Sequence, residues 1–144
     1  MKSVSPYLNF AGNAEEAFEF YRSVLGGEYT NVTRYREMGG EEVGFTGRDL
    51  DLIANIGLPI GPNTVLMASD VPAGMEPLNV GNNFYIALET DTAEDARRIY
   101  QGLSSGGTEG MPLERTAWAE IYGDLTDRYG VRWMVMYTGD VQFG

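Results

Sequence analysis

The chain has 144 residues, 43% hydrophobic and 12% aromatic, one domain's length with ample material for a core, which excludes a disordered chain. Its formal net charge of −11 excludes phosphate backbones and anionic membrane surfaces as partners, so neither nucleic acid nor a membrane is expected. With no cysteine and no histidine, disulfides, thiolate metal sites, Ser-His-Asp catalysis and histidine-based zinc or iron sites are all excluded, and the cysteine-free composition fits a cytoplasmic protein.

In chain order, residues 4–10 read as a strand. Asn13 follows as a helix N-cap with Glu16 completing a capping-box pair. Ala14, Ala17, Phe18, Tyr21, Val24 and Leu25 keep helical spacing until Gly26-Gly27 stops the helix. Residues 28–36 have strand composition, and the glycine-rich stretch 38–51 reads as a loop around a short strand at 43–46. Strands at 52–56 and 64–69 flank a turn at 57–63 that holds Pro59 and Pro62. The stretch 71–82, with two prolines and two glycines, reads as a connector. Beyond it come a strand at 83–89, a helix capped by Thr92 and running to Leu103, and strands at 108–111, 118–122 and 132–138. Asp127-Arg128-Tyr129-Gly130 makes the last hairpin turn.

The two halves repeat one another. Asn13-Ala14-Glu15-Glu16-Ala17, Tyr21 and Gly26-Gly27 reappear, a little over half a chain later, as Thr92-Ala93-Glu94-Asp95-Ala96, Tyr100 and Gly106-Gly107. Each half is β-α-β-β-β, so the chain reads as a single domain, 1–144, of two modules at about 1–70 and 83–144, joined by the 71–82 connector.

Two such modules resemble the vicinal oxygen chelate superfamily of glyoxalase I, bleomycin-resistance proteins and extradiol dioxygenases, and within it the PhnB-like branch. The residues that carry the resemblance are Ser5-Pro6-Tyr7-Leu8 with the helix from Asn13 to Tyr21, the run Val65 to Asp70, and above all the run Trp118 to Met134. The resemblance implies an α+β fold, two βαβββ modules forming a cupped mixed sheet, and a homodimer. It also implies where a metal site would lie, on the first and last strands of each module. Those strands offer Tyr7 or Asn9, Leu66 or Met67, Tyr85, and Met134 or Met136, with Met134 standing where the metal-binding enzymes have their final glutamate. A thioether is a poor ligand for a hard divalent ion, so no metal and no cofactor is expected.

Met67, Met134 and Met136, with Tyr7 and Tyr85, either line a soft pocket for a planar ligand or pack a core. Trp118, Glu120 and Tyr122 share parity on one predicted strand, which makes them an aromatic clamp around a carboxylate or an ordinary sheet surface or dimer contact. Asp124 and Asp127 flank the last turn and read as turn formers in preference to a carboxylate pair that holds a divalent ion or shares a proton. Arg34, Arg36 and Arg48 are the candidates for gripping an anionic ligand. The leading expectation is a metal-independent small-molecule-binding protein that sequesters a toxic or antibiotic-like ligand. Its competitors are a metal-dependent lyase, isomerase or dioxygenase built on carboxylate ligands, and a dimeric scaffold.

Overall fold

The structure is a computed structural model that describes residues 1–142. The chain divides into two compact units, Met1–Asn79 and Val80–Gly144, with the boundary inside the 71–82 stretch. The first unit contains β1 (Tyr7–Phe10), α1 (Ala14–Leu25), β2 (Asn31–Arg34), β3 (Ile53–Gly61) and β4 (Thr64–Asp70). Its four-stranded sheet has the order β1-β4-β3-β2, with β1 and β4 parallel and the other pairs antiparallel. The second unit contains β5 (Ile86–Glu89), α2 (Ala93–Ser104), β6 (Thr108–Glu109), β7 (Ile121–Thr126) and β8 (Arg132–Tyr137). Its sheet has the order β5-β8-β7-β6, with β5 and β8 parallel and the remaining pairs antiparallel. The fold is α+β, two βαβββ units each with one mixed sheet, as expected.

Strand parity sorts the side chains in both units. In the first, Leu8 and Phe10 of β1, Ile56 and Leu58 of β3, and Leu66 and Ala68 of β4 are buried, on the face α1 covers with Ala14, Ala17, Phe18 and Tyr21. The Phe18 ring meets Phe10 edge-on at 6.4 Å and Tyr21 at 5.6 Å, so aromatic packing joins helix to sheet. In the second, Trp133, Val135 and Leu125 are buried on the face that receives Tyr100 and Leu103 of α2. Gly123 of β7 makes room for that helix: a Cβ there would lie 2.7 Å from the Tyr100 ring. Among the described residues, no helix is long and apolar enough to cross a membrane.

Several local expectations are corrected. Asn13 makes no side-chain cap bond, because its backbone sits at φ −119, ψ 25 instead of the extended form a capping residue adopts. The amides at that end of α1 are met from the end of β4, where Asp70, 2% exposed, accepts from Gly12 N at 3.1 Å and Ala14 N at 2.9 Å through one oxygen. Its other oxygen accepts from Ile53 N at 2.9 Å, tying the start of β3 to the same carboxylate. Thr92, with φ −136 and ψ 153, does cap α2 as expected, accepting from Asp95 N at 3.1 Å.

No strand forms at 43–46. The chain makes 3-10 turns at Tyr35–Met38 and Gly47–Asp51, and between them folds back so that Phe45 meets the Tyr35 ring at 4.9 Å. β3 runs on through Pro59 to Gly61 where a turn was expected. The Gly57 carbonyl accepts from Thr30 N on the β2 side, so Pro59, two residues on, turns its nitrogen to that same side beyond the end of β2. β6 is confined to Thr108–Glu109, and β7 begins at Ile121, so Trp118 and Glu120 precede the strand and Asp124 lies within it.

Because Asp70 satisfies three backbone donors, Asp70→Ala is expected to cost about 3 kcal/mol, roughly 10 °C in Tm. Asn13→Ala is expected to cost less than about 0.5 kcal/mol, since no cap bond is lost. Parallel urea and thermal melts of the two variants check the pair.

Candidate ligand-binding face of the second unit

The final turn sets which way the β8 side chains point. Asp127, 3% exposed, accepts from Tyr129 N at 2.8 Å and Val131 N at 3.0 Å through Oδ1. Gly130 closes the turn at φ +89, a conformation that favours glycine. The other Asp127 oxygen accepts from the Trp133 indole Nε1 at 2.9 Å, which pins Trp133 under α2. With Trp133 and Val135 committed to the helix side, Met134 and Met136 must point to the opposite face.

The strand register builds that face in rows. Ala87 of β5, Met134 of β8 and Asp124 of β7 form one row, and Glu89, Met136 and Tyr122 the next. Trp118 lies over the β7 end, its ring 5.2 Å from Tyr122 at an interplanar angle of 76°. At the start of β8, the Arg132 guanidinium lies 4.2 Å from the centre of the Tyr85 ring. Arg132 also donates to the Tyr85 hydroxyl and to the Asn82 carbonyl. The result is two thioethers between aromatic groups, with a carboxylate on the β7 side.

Asp124 holds the segment before β7 in place. Its Oδ1 accepts from Met111 N at 2.7 Å and its Oδ2 from the Tyr122 hydroxyl at 3.2 Å. Burial first, then the Asp124 charge and hydrogen bond, and last Tyr85, push Tyr122 from 10.0 up to about 12. Tyr122 is therefore a donor at neutral pH, not a base. Burial, Glu109 and Asp124 likewise raise Tyr100, whose hydroxyl donates to the carbonyls of Met111 and Asp124.

The corresponding face of the first unit has different chemistry. Tyr7 sits beside Met67, and Asn9 beside Ser69, in the parallel β1–β4 register. Asn31 Nδ2 donates to Asn55 Oδ1 at 2.8 Å, Asn55 Nδ2 donates to the Tyr7 hydroxyl at 3.3 Å, and Ser69 donates to Asn9 at 3.2 Å. This face is a web of neutral amides and hydroxyls around one methionine.

The sequence candidates thus fall in two groups. Tyr7 and Met67 share the first unit's face, while Tyr85, Tyr122, Met134 and Met136, with Trp118 at the edge, come together on the second's. Glu120 is not held between the two rings: its carboxylate accepts from Asp140 N at 3.0 Å, and the rings touch each other directly. Arg34 and Arg36 are neutralised by Glu15 at 2.9 Å and Asp51 at 3.0 Å, so neither is a ready anion grip. Asp124, expected as a turn former, lies opposite Met134 within β7, and Arg132, for which the sequence suggests no role, begins β8 on the same face. The parity of β8 was the available signal for Arg132, and Tyr122, two residues before Asp124, for the other.

The chain matches the Glyoxalase/Bleomycin resistance protein/Dioxygenase superfamily over residues 4–135. It belongs to that superfamily. Protein YjdN of Escherichia coli (strain K12) is 29% identical over 139 residues, covering 92% of each chain. The crystal structure of protein PA1353 from Pseudomonas aeruginosa superposes with a TM-score of 0.81 at 34% identity, covering 94% of this chain and 96% of that one. A Bacillus cereus PhnB protein, described as a putative 3-demethylubiquinone-9 3-methyltransferase, shares the fold with a TM-score of 0.72 at 22% identity over 93% of this chain and 98% of its own.

The superfamily's metal centre does not fit the residues present. Of the positions that would supply ligands, Leu66 is fully buried on the α1 side of its sheet, and the others offer phenol, amide or thioether. Among the described residues, no three Asp or Glu side chains lie close enough to hold a metal ion. Thioether and phenol are unsuited to a hard divalent cation.

The raised Tyr122 favours folding while it stays protonated. That contribution is expected to be full below pH 10, the ordinary tyrosine value, and to disappear as pH rises through about 12. In a spectrophotometric titration at alkaline pH, Tyr122→Phe is expected to remove one late-ionising phenol. Loss of an early-ionising phenol instead would contradict the placement.

Proposed function

We propose that this superfamily member binds a flat, largely apolar small molecule on the β8–β7 face of its second unit, without a metal ion. The observation that carries the reading is the pairing of Met134 and Met136 with Tyr122, Trp118 and Tyr85 on a single face. Thioethers adapt to irregular shapes and contact aromatic rings well, and aromatic side chains give a planar ligand large contact area. The physiological role that follows is sequestration of a toxic or antibiotic-like compound. The first unit's face, with Tyr7 and Met67 among amides and hydroxyls, suits polar neutral groups. A homodimer belongs to the same proposal, supported by the superfamily resemblance and by Phe84, 71% exposed just before the edge strand β5.

The experiment is calorimetric titration of chelator-treated protein with 1-methylnaphthalene. Saturable binding is expected, and Met134→Ala is expected to weaken it about tenfold, the equivalent of about 1.4 kcal/mol. Binding that appears only after manganese, nickel, zinc or ferrous iron is added would replace this reading with the metal-dependent enzyme. No binding to the wild-type protein under either condition would overturn it outright. Light scattering on the same sample is expected to give the mass of a dimer.

A further inference from the structure

We propose that the ligand held on this face is a flat organic cation, of the aromatic ammonium or N-alkylated heteroaromatic class, and that Asp124 selects for its positive charge. The inference rests on the preceding reading that the face binds a small molecule, and adds the ligand's chemical class.

Asp124 is 9% exposed, yet the two groups that donate to it, the Met111 amide and the Tyr122 hydroxyl, are both neutral. No Arg or Lys among the described residues forms an ion pair with it. The other two buried aspartates, Asp70 and Asp127, each accept three hydrogen bonds from neutral donors, whereas Asp124 accepts two, so its charge is the least compensated of the three. A carboxylate has about four acceptor positions, so two remain for a ligand.

Among the described residues, the guanidinium of this face, that of Arg132, is directed elsewhere. Arg132 is two residues before Met134 on β8, but its guanidinium lies on the Tyr85 ring and donates to the Tyr85 hydroxyl and the Asn82 carbonyl, toward β5. The guanidinium is thereby held on the β5 side, away from Asp124, while the second carboxylate of this face, Glu89 on β5, accepts from the Thr138 hydroxyl.

The neighbours of Asp124 suit a delocalised cation. Tyr122 supplies an aromatic ring whose hydroxyl touches the carboxylate, and Trp118 packs edge-on against that ring; a cation over an aromatic ring gains roughly 0.5–2 kcal/mol. Met134, directly opposite Asp124 in the register, supplies a polarisable sulfur. A neutral ligand would leave the Asp124 charge unmatched, and an anion would be repelled. The chain's net charge of −11 further favours approach of cations.

Two probes of one shape separate charge from fit: 1-methylquinolinium, a cation, and 1-methylnaphthalene, its neutral counterpart. The wild-type protein is expected to bind the cation at least tenfold more tightly. In Asp124→Asn that preference is expected to vanish, the ratio of the two Kd values falling to about one. Asparagine still accepts from Met111 N and donates to the Tyr122 oxygen, so the segment before β7 stays anchored. Because the preference is a ratio of two constants in the same variant, an unfolded fraction cancels from it. Equal binding of both probes to wild-type protein, or a preference that survives Asp124→Asn, would overturn the proposal while leaving small-molecule binding in place. A preference abolished by Glu89→Gln instead would overturn the assignment to Asp124. Failure of both probes to bind would bring down this inference together with the reading beneath it.

Discussion

The hydrogen bond from the Trp133 indole to Asp127 is the constraint on which the candidate site depends. The same carboxylate also gathers two backbone amides of the last turn, so turn geometry and the seating of Trp133 are fixed together. Once the indole is under α2, strand parity leaves Met134 and Met136 no choice but the opposite face. Register with β7 then brings Tyr122 and Asp124 beside them, and register with β5 brings Ala87 and Glu89. A buried turn residue thus determines the composition of a surface it does not touch.

The two units share a plan and differ in how they secure it. In the first, one carboxylate at the end of β4 serves the start of α1 and the start of β3. In the second, α2 is capped locally by Thr92, and the acid that matters, Asp124, braces the segment leading into β7. The faces diverge as well. One is a neutral amide and hydroxyl web, the other a thioether and aromatic surface with a carboxylate held by two neutral donors. Repetition of a fold unit has here been followed by separation of its chemistry, as expected when function resides in grafted side chains and not in the architecture.

The sequence made the architecture legible because its signals were local and periodic. Thr92 followed by a helical apolar stripe marked α2, and Asp127 to Gly130 marked the last turn. What it hid was set by distant partners. Asn13 resembles a cap, but Asp70, more than fifty residues away, meets those amides. Glu120 has the parity of Trp118 and Tyr122, yet those residues flank the start of β7 and its carboxylate is taken by the C-terminal turn. Arg34 and Arg36 look available until folding brings Glu15 and Asp51 to them. The methionine face was half legible: residue types and parity were readable, but the partners of Asp124 emerge only once folding brings the Met111 amide and the Tyr122 hydroxyl to it.

The most direct test of the account uses the seven methionines as reporters. With methyl groups of methionine labelled with carbon-13, the NMR spectrum is recorded before and after saturation with 1-methylquinolinium. The account predicts that the Met134 and Met136 methyl resonances move and that those of Met38 and Met75, exposed in other parts of the chain, do not. Movement confined to Met38 or Met75, with Met134 and Met136 unchanged, would contradict it.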